Sequence, residues 1–189
     1  MRNGFGRNLD FQDIYNHVTS PDEVYLLRNG DIKAMASYNR RVFADTPSLV
    51  VEGIAMDSSV QGKGVFGEIT QNVVNSESVI CLRTQNPRMY RALQKFRDKI
   101  HPRQRRTSEN PFYLAFDFAD NTFCKELIGE FANYLNCKID DKGVIRGYYR
   151  GLFYGEEPTH CEVSKFFKDD LKMDLSKGDA VLAMGYNLL

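Results

Sequence analysis

An α/β (α+β) domain built on a mixed sheet with flanking helices is the fold class that this sequence predicts, on three observations. The run Leu49–Met56 is apolar at almost every position, the mark of a strand buried on both faces. From residue 49 to residue 96, strand-like and helical segments alternate, the pattern of a layered α/β domain. Two strand-like runs, Val24–Arg28 and Ile32–Tyr38, flank Asn29-Gly30, a dipeptide suited to a tight antiparallel hairpin.

The first element expected is a helix over Phe11–His17, where Phe11, Ile14, Tyr15 and Val18 share one face. Ser20-Pro21-Asp22 ends it. The hairpin follows, with Asn29-Gly30 in a type I′ turn, and Asp45-Thr46-Pro47 makes the next turn. Beyond the strand at 49–56, Asp57-Ser58-Ser59 leads into the glycine-bearing segment Gln61–Gly67. A helix over Val65–Val74 turns Val65, Ile69, Val73 and Val74 inward. Ser78–Arg83 reads as a fourth strand, and Pro87 suits the first position of a helix running to Phe96.

After Phe96 the pattern changes. Arg97–Asn110 reads as a polar, basic loop and Phe112–Phe118 as a strand. Asn121–Cys137 is an amphipathic helix, with Phe123, Leu127, Phe131 and Leu135 recurring every four residues and Ile128 and Tyr134 widening the stripe. Gly143–Tyr154 reads as a strand plus loop, Cys161–Leu171 as a helix and Asp179–Gly185 as a last strand. The 189 residues fit a single domain, with a core over 1–100 and an extension over 101–189 that completes the sheet.

Composition narrows the function classes. With 25 basic and 25 acidic side chains, the chain does not resemble a protein held to nucleic acid by phosphate neutralisation. Cys81, Cys124, Cys137 and Cys161 show no metal-ligand spacing, so no metal is expected. The first residues lack the apolar run of a secretory signal, and no segment approaches the ~20 apolar residues of a membrane span. A cytoplasmic protein with reduced thiols is the expectation.

Gln61-Gly62-Lys63-Gly64-Val65-Phe66-Gly67 is an anion cradle in the making. A helix N-terminus offers unpaired amides and partial positive charge, and glycines let a phosphate approach the backbone. The phosphate-binding pattern G-x-x-x-x-G-K-[S/T] fails, because Gly64 follows Lys63. Gly62, Gly64 and Gly67 fit the G-x-G-x-x-G spacing of dinucleotide-binding loops, but the next strand ends in Cys81-Leu82-Arg83 without the acidic residue which that motif expects. A nucleotide-binding protein is therefore the lesser alternative.

The stretch from Met56 to Gly64 resembles motif A of the GNAT-superfamily N-acetyltransferases, [Q/R]-x-x-G-x-[G/A], with Gln61 and Gly64 in place. Thr84-Gln85-Asn86-Pro87 is similar to that family's next strand-to-helix junction, and the likeness spans residues 24–96. It implies a mostly antiparallel sheet flanked by helices, with a helical elaboration after residue 96. It also implies acetyl-CoA as acyl donor and a primary amine as acceptor, joined by direct transfer in a ternary complex. Ile54, Ala55 and Met56 would lend main-chain groups to the pantetheine arm. Gln61, Gly62, Lys63, Gly64, Val65, Phe66 and Gly67 would receive the pyrophosphate, and Asn86 would sit near the arm. Phe66 must then turn its ring into the helix packing.

Acyl transfer to an amine needs a base for the amine and an acid for the thiolate. Glu52, on the strand before the loop, is the candidate base; the same carboxylate could instead pair with an arginine. Leu93 holds the position where the family often has a tyrosine, so Tyr90, one turn earlier, is the candidate acid, against an ordinary packing role. Tyr148, Tyr149, Phe153 and Tyr154 could wall an acceptor pocket, pack in the core or form a homodimer surface. A CoA-binding module without catalysis is the alternative to an enzyme.

Overall fold

The computed structural model describes residues 11–100 and 122–186. The elements are α1 (Phe11–Thr19), β1 (Glu23–Asn29), β2 (Asp31–Phe43), β3 (Thr46–Met56), α2 (Val65–Val73), β4 (Val79–Thr84), α3 (Pro87–Ile100), α4 (Thr122–Tyr134), β5 (Val144–Ile145), α5 (Val163–Asp169) and β6 (Ala180–Tyr186). The six strands form one sheet in the order β1-β2-β3-β4-β6-β5. Only β3 and β4 run parallel; every other neighbouring pair is antiparallel. The result is a mixed, mostly antiparallel α+β sheet flanked by helices, consistent with a GNAT-like fold.

The apolar run at 49–56 lies in the middle of this sheet, and Leu49 and Val50 are fully buried there. Paired residues share a face, so Tyr38, Val51 and Leu82 face one way while Asn39, Val50, Cys81 and Met184 face the other. On the first face, α2 lays Thr70 against Tyr38, their hydroxyls 2.9 Å apart. There α3 brings Leu93 against Gly185, where an added Cβ would stand 3.2 Å from Leu93 Cδ1. On the second face, α1 sets His17 over Gly53 and α4 brings Tyr134 to Asn39.

Several expectations need correction. Gly30 alone has a positive φ in the first hairpin, and Asn29 pairs with Asp31 as part of the ladder, so the type I′ turn is absent there. Positive φ at both central residues occurs instead at Ala44 and Asp45, between the paired Phe43 and Thr46. Long β2–β3 pairing fixes that tight turn against the preferences of Ala44. In α2 the buried residues are Val65, Phe66, Thr70 and Val73, a face rotated from the expected one; Ile69 and Val74 are half-buried. Tyr15 and Val18 of α1 are about half exposed, leaving Ile14 as its contact with Ala55. Helix α3 continues to Ile100, past the loop start expected at Arg97. The strand expected at Phe112–Phe118 lies outside the described residues.

Candidate functional site

The parallel β3–β4 ladder runs from Ser48–Val79 to Val51–Leu82 and goes no farther. Beyond it, β3 stays paired to β2 on its other edge, with Gly53 opposite Ser37, Ile54 opposite Ala36, Ala55 opposite Met35 and Met56 opposite Ala34. Val51 and Gly53 face consecutive residues of β2, so Glu52 is the extra residue of a β-bulge. Bulges bend a strand and sharpen its twist. This one sits immediately after the last β3–β4 pair, and it accounts for the parting of the two strands. Ile54, Ala55 and Met56 thus lie along a stretch of β3 whose β4-side edge is unpaired.

Past Met56, the Asp57 carboxylate accepts the Ser59 amide at 3.0 Å and starts a single 3-10 turn. Gln61 folds back, its Nε2 donating to the Met56 carbonyl at 3.0 Å. Gly62 and Gly64 hold φ of 74° and 81°, a region that penalises a β-carbon, and Gly64 is the residue that opens α2. A Cβ on either would meet nothing within 4 Å, so the space above this loop is open. Gly62, Lys63 and Gly64 are exposed, while Val65 and Phe66 are buried, Phe66 within the main core. The large ring is therefore turned away from the loop's outer surface, as a diphosphate site would require. Gly67 is half-buried, and Glu68 places one acidic group in the same turn.

At the end of β4, Asn86 starts α3: its Oδ1 accepts the Arg88 amide at 2.9 Å and its own amide donates to Thr84 Oγ1 at 2.9 Å. The neighbouring Gln85 is buried and gathers the chain after β5. Its Oε1 accepts the Phe153 amide at 2.6 Å, and its Nε2 lies 3.3 Å from the Leu175 carbonyl. Phe153 and Tyr154 pack against Ala55 of β3, and burial pushes the Tyr154 hydroxyl up against an opposing pull from Asn86 and Thr84. Tyr154 therefore spans the gap from β3 to the end of β4. Tyr148, Tyr149, Phe153 and Tyr154 continue one another in ring contacts of 5.0, 4.9 and 5.6 Å.

Glu52 stands at the vertex of the parted strands and is fully engaged. Its Oε1 accepts from Tyr134 OH at 2.6 Å and Asn39 Nδ2 at 3.0 Å, and its Oε2 accepts from Arg83 Nη1 at 3.1 Å. The arginine-paired reading of this carboxylate is the one observed. Burial pulls the Arg83 guanidinium down, but Tyr149, Glu52 and Tyr148 outweigh it and keep the group firmly charged. Arg83 also lies over the Tyr148 ring, 5.4 Å from its centre. Burial and then Glu52 push the Tyr134 hydroxyl up. A cavity of about 510 Å³ shares Tyr148 with this cluster and is otherwise lined by Cys137, Ile139, Val144 and Arg146, among others.

Tyr90 is not part of this assembly. It is fully buried between α3 and α5, its ring 5.8 and 5.5 Å from those of Phe166 and Phe167. Its hydroxyl has no hydrogen-bond partner among the described residues, and burial drives it far up from its ordinary value. A group sealed in this way cannot hand a proton to a thiolate in the cleft, so its role is packing. Sequence reasoning missed Arg83, Asn39 and Tyr134 as partners of Glu52. Arg83 carried a signal, as a lone charge closing an otherwise apolar strand; Asn39 depends on the β2–β3 register, and Tyr134 on a contact across 82 residues.

Neither a protein-family model nor a curated protein matches this chain. Among the described residues, no group of three or more His, Cys, Asp or Glu side chains is placed to hold a metal, and no helix is long and apolar enough to cross a membrane.

Proposed function

We propose that this chain binds acetyl-CoA and transfers its acyl group to a primary amine. The parting of β3 from β4 at the Glu52 bulge carries the reading, because it leaves an extended backbone edge unpaired inside the sheet. Such an edge suits the amide-bearing pantetheine arm, which can hydrogen-bond to it as a strand would. The exposed Gly62-Lys63-Gly64 loop at the start of α2 supplies amides and a cation for the pyrophosphate. Both features lie at the C-terminal end of β3, six residues apart.

A binding module without turnover is the second reading, and a specific observation favours it. Glu52 is committed to three donors, and Tyr90 is sealed in the core. Under the enzyme reading, positioning of the two substrates supplies much of the rate, and Glu52 is released from Arg83 when the acceptor enters.

Thermal shift with acetyl-CoA, CoA, NAD and ATP tests the cofactor. A ligand at a hundred times its dissociation constant stabilises by about 2.7 kcal/mol, a readable rise in Tm. Acetyl-CoA and CoA are expected to raise Tm and NAD and ATP to leave it unchanged; no rise with either CoA species sinks the reading. Free-thiol release across a panel of amines then separates enzyme from module.

A further inference from the structure

Glu52 and Arg83 are joined across the vertex where the two strands part. Each follows the last residue of its strand in the β3–β4 ladder, Val51 on β3 and Leu82 on β4. The two side chains are equally exposed, at 16%, and no backbone ladder ties β3 to β4 beyond them. Asn39 and Tyr134 add two neutral donors on the carboxylate side. On the other side, Arg83 Nε is buried without a hydrogen-bond partner among the described residues. Arg41 stands close by over the Tyr134 ring, 5.3 Å from its centre.

A carboxylate and a guanidinium held side by side form a receptor for a molecule that carries the opposite charges at the same spacing. We infer that the acceptor is a free amino acid, or a like small amine with a carboxylate on the neighbouring carbon, whose ammonium meets Glu52 and whose carboxylate meets Arg83. The inference rests on the acyltransferase reading above. The planar guanidinium matches a carboxylate with two parallel N–H donors, and the unmet Nε–H is one available donor. A simple alkylamine would leave that donor unmet. A polyamine would set a second positive charge against Arg83.

In the transfer, the ammonium loses one proton to Glu52, which passes it to solvent, and the freed amine nitrogen bonds to the thioester carbon and then sheds its second proton as the intermediate collapses. The carbon–sulfur bond breaks, and the thiolate leaves with its electron pair and takes up a proton. The products are an N-acyl amino acid and free CoA thiol, with one proton released to solvent overall.

The test uses the full chain with acetyl-CoA and reads thiol release. Glycine, alanine, glutamate and phenylalanine are compared with methylamine, ethylamine and phenethylamine, and with the amino-acid methyl esters. At least one amino acid is expected to turn over with a KM about tenfold or more below that of its amine and ester, because only it satisfies the guanidinium. Arg83→Met is expected to raise that KM about tenfold with a smaller change in kcat and to erase the preference over the ester, and Arg83→Lys to restore it in part. Circular dichroism and the thermal shift with acetyl-CoA check that each variant is folded and loaded. If amines or esters are used as well as amino acids, or if no amino acid turns over while acetyl-CoA binds, the inference fails and the cofactor reading stands. If acetyl-CoA gives no thermal shift with the unmodified chain, both fall together.

Discussion

Arg83 Nη1 lies 3.1 Å from Glu52 Oε2, and this contact joins β3 to β4 at the first position where their backbones no longer pair. Side-chain bonding thus takes over from the backbone ladder at the vertex. The contact is half sheltered, so its worth lies between that of a surface pair and that of a buried one. Glu52→Ala takes an acceptor from the Asn39 amide, the Tyr134 hydroxyl and Arg83 together, Asn39 keeping its 2.7 Å bond to the Tyr134 oxygen, and is expected to cost about 2–3 kcal/mol. Glu52→Gln keeps an acceptor for the first two and is expected to cost about 1 kcal/mol. Urea unfolding of both variants checks the order; equal losses would mean that the neutral donors do not depend on Glu52.

Tyr90 gives a prediction of opposite sign. Its hydroxyl is buried without a hydrogen-bond partner among the described residues, so Tyr90→Phe removes a desolvated polar group and leaves the ring contacts with Phe166 and Phe167. The variant is expected to be more stable by about 1 kcal/mol, with acetyl-CoA affinity unchanged. A loss of stability, or weakened cofactor binding, would show that the hydroxyl has a task in the cleft.

The Tyr154 ring bridges Ala55 and Asn86 across the open end of the β3–β4 gap, on the path that the proposed pantetheine arm takes. Cofactor entry then requires that ring to leave. Tyr154→Phe removes the hydroxyl that faces Asn86 and Thr84 while keeping the packing on Ala55. Stopped-flow binding is expected to give an association rate several-fold faster, because the displacement step is easier. A slower rate and weaker binding would make Tyr154 a wall that grips the cofactor.

Acid stability follows from Asp179. Burial pushes its carboxyl up, but amides of Asp174 and Gly147 and the Arg146 guanidinium outweigh it and hold it below its ordinary value of 3.8. A carboxyl depressed in the folded state stabilises above its unfolded value, and that contribution is lost as pH falls through the lower, folded one. Stability is thus expected to decline below pH 3.8 in part through this residue. Asp179→Asn is expected to be less stable at pH 7, with a shallower decline on acidification. Denaturation midpoints over pH 2–7 measure both; an unaltered slope would remove Asp179 from the acid response.

The sheet was legible in this sequence where burial alone sets the pattern. Leu49–Met56 and Ser78–Arg83 are mostly apolar runs, and both became inner strands within a residue or three of their expected ends. Turn chemistry was less readable. Asn29-Gly30 has the favoured residues, yet the two-residue tight turn forms at Ala44-Asp45, where the length of β2 and β3 leaves the chain no other way to reverse. The loop Gln61–Gly67 could be read because glycine preference is local. Its neighbour Glu52 could be singled out as an unusual strand residue, but not placed on a bulge, since a bulge belongs to a register between two strands and no single run of residues displays it. The Asn39–Tyr134 contact joins β2 to a helix 95 residues later, and only the folded chain brings them together.

Strand β6 comes last among the described elements, yet it lies between β4 and β5 and forms six residue pairs with β4. During synthesis, β4 therefore waits with one edge open until Ala180–Tyr186 has been made. Pairing at such sequence separation is slow to nucleate, and an open apolar strand in the interval invites pairing with other chains. Fragments that stop short of residue 180 are expected to aggregate, and chaperone demand during expression should be set by the wait for this one strand.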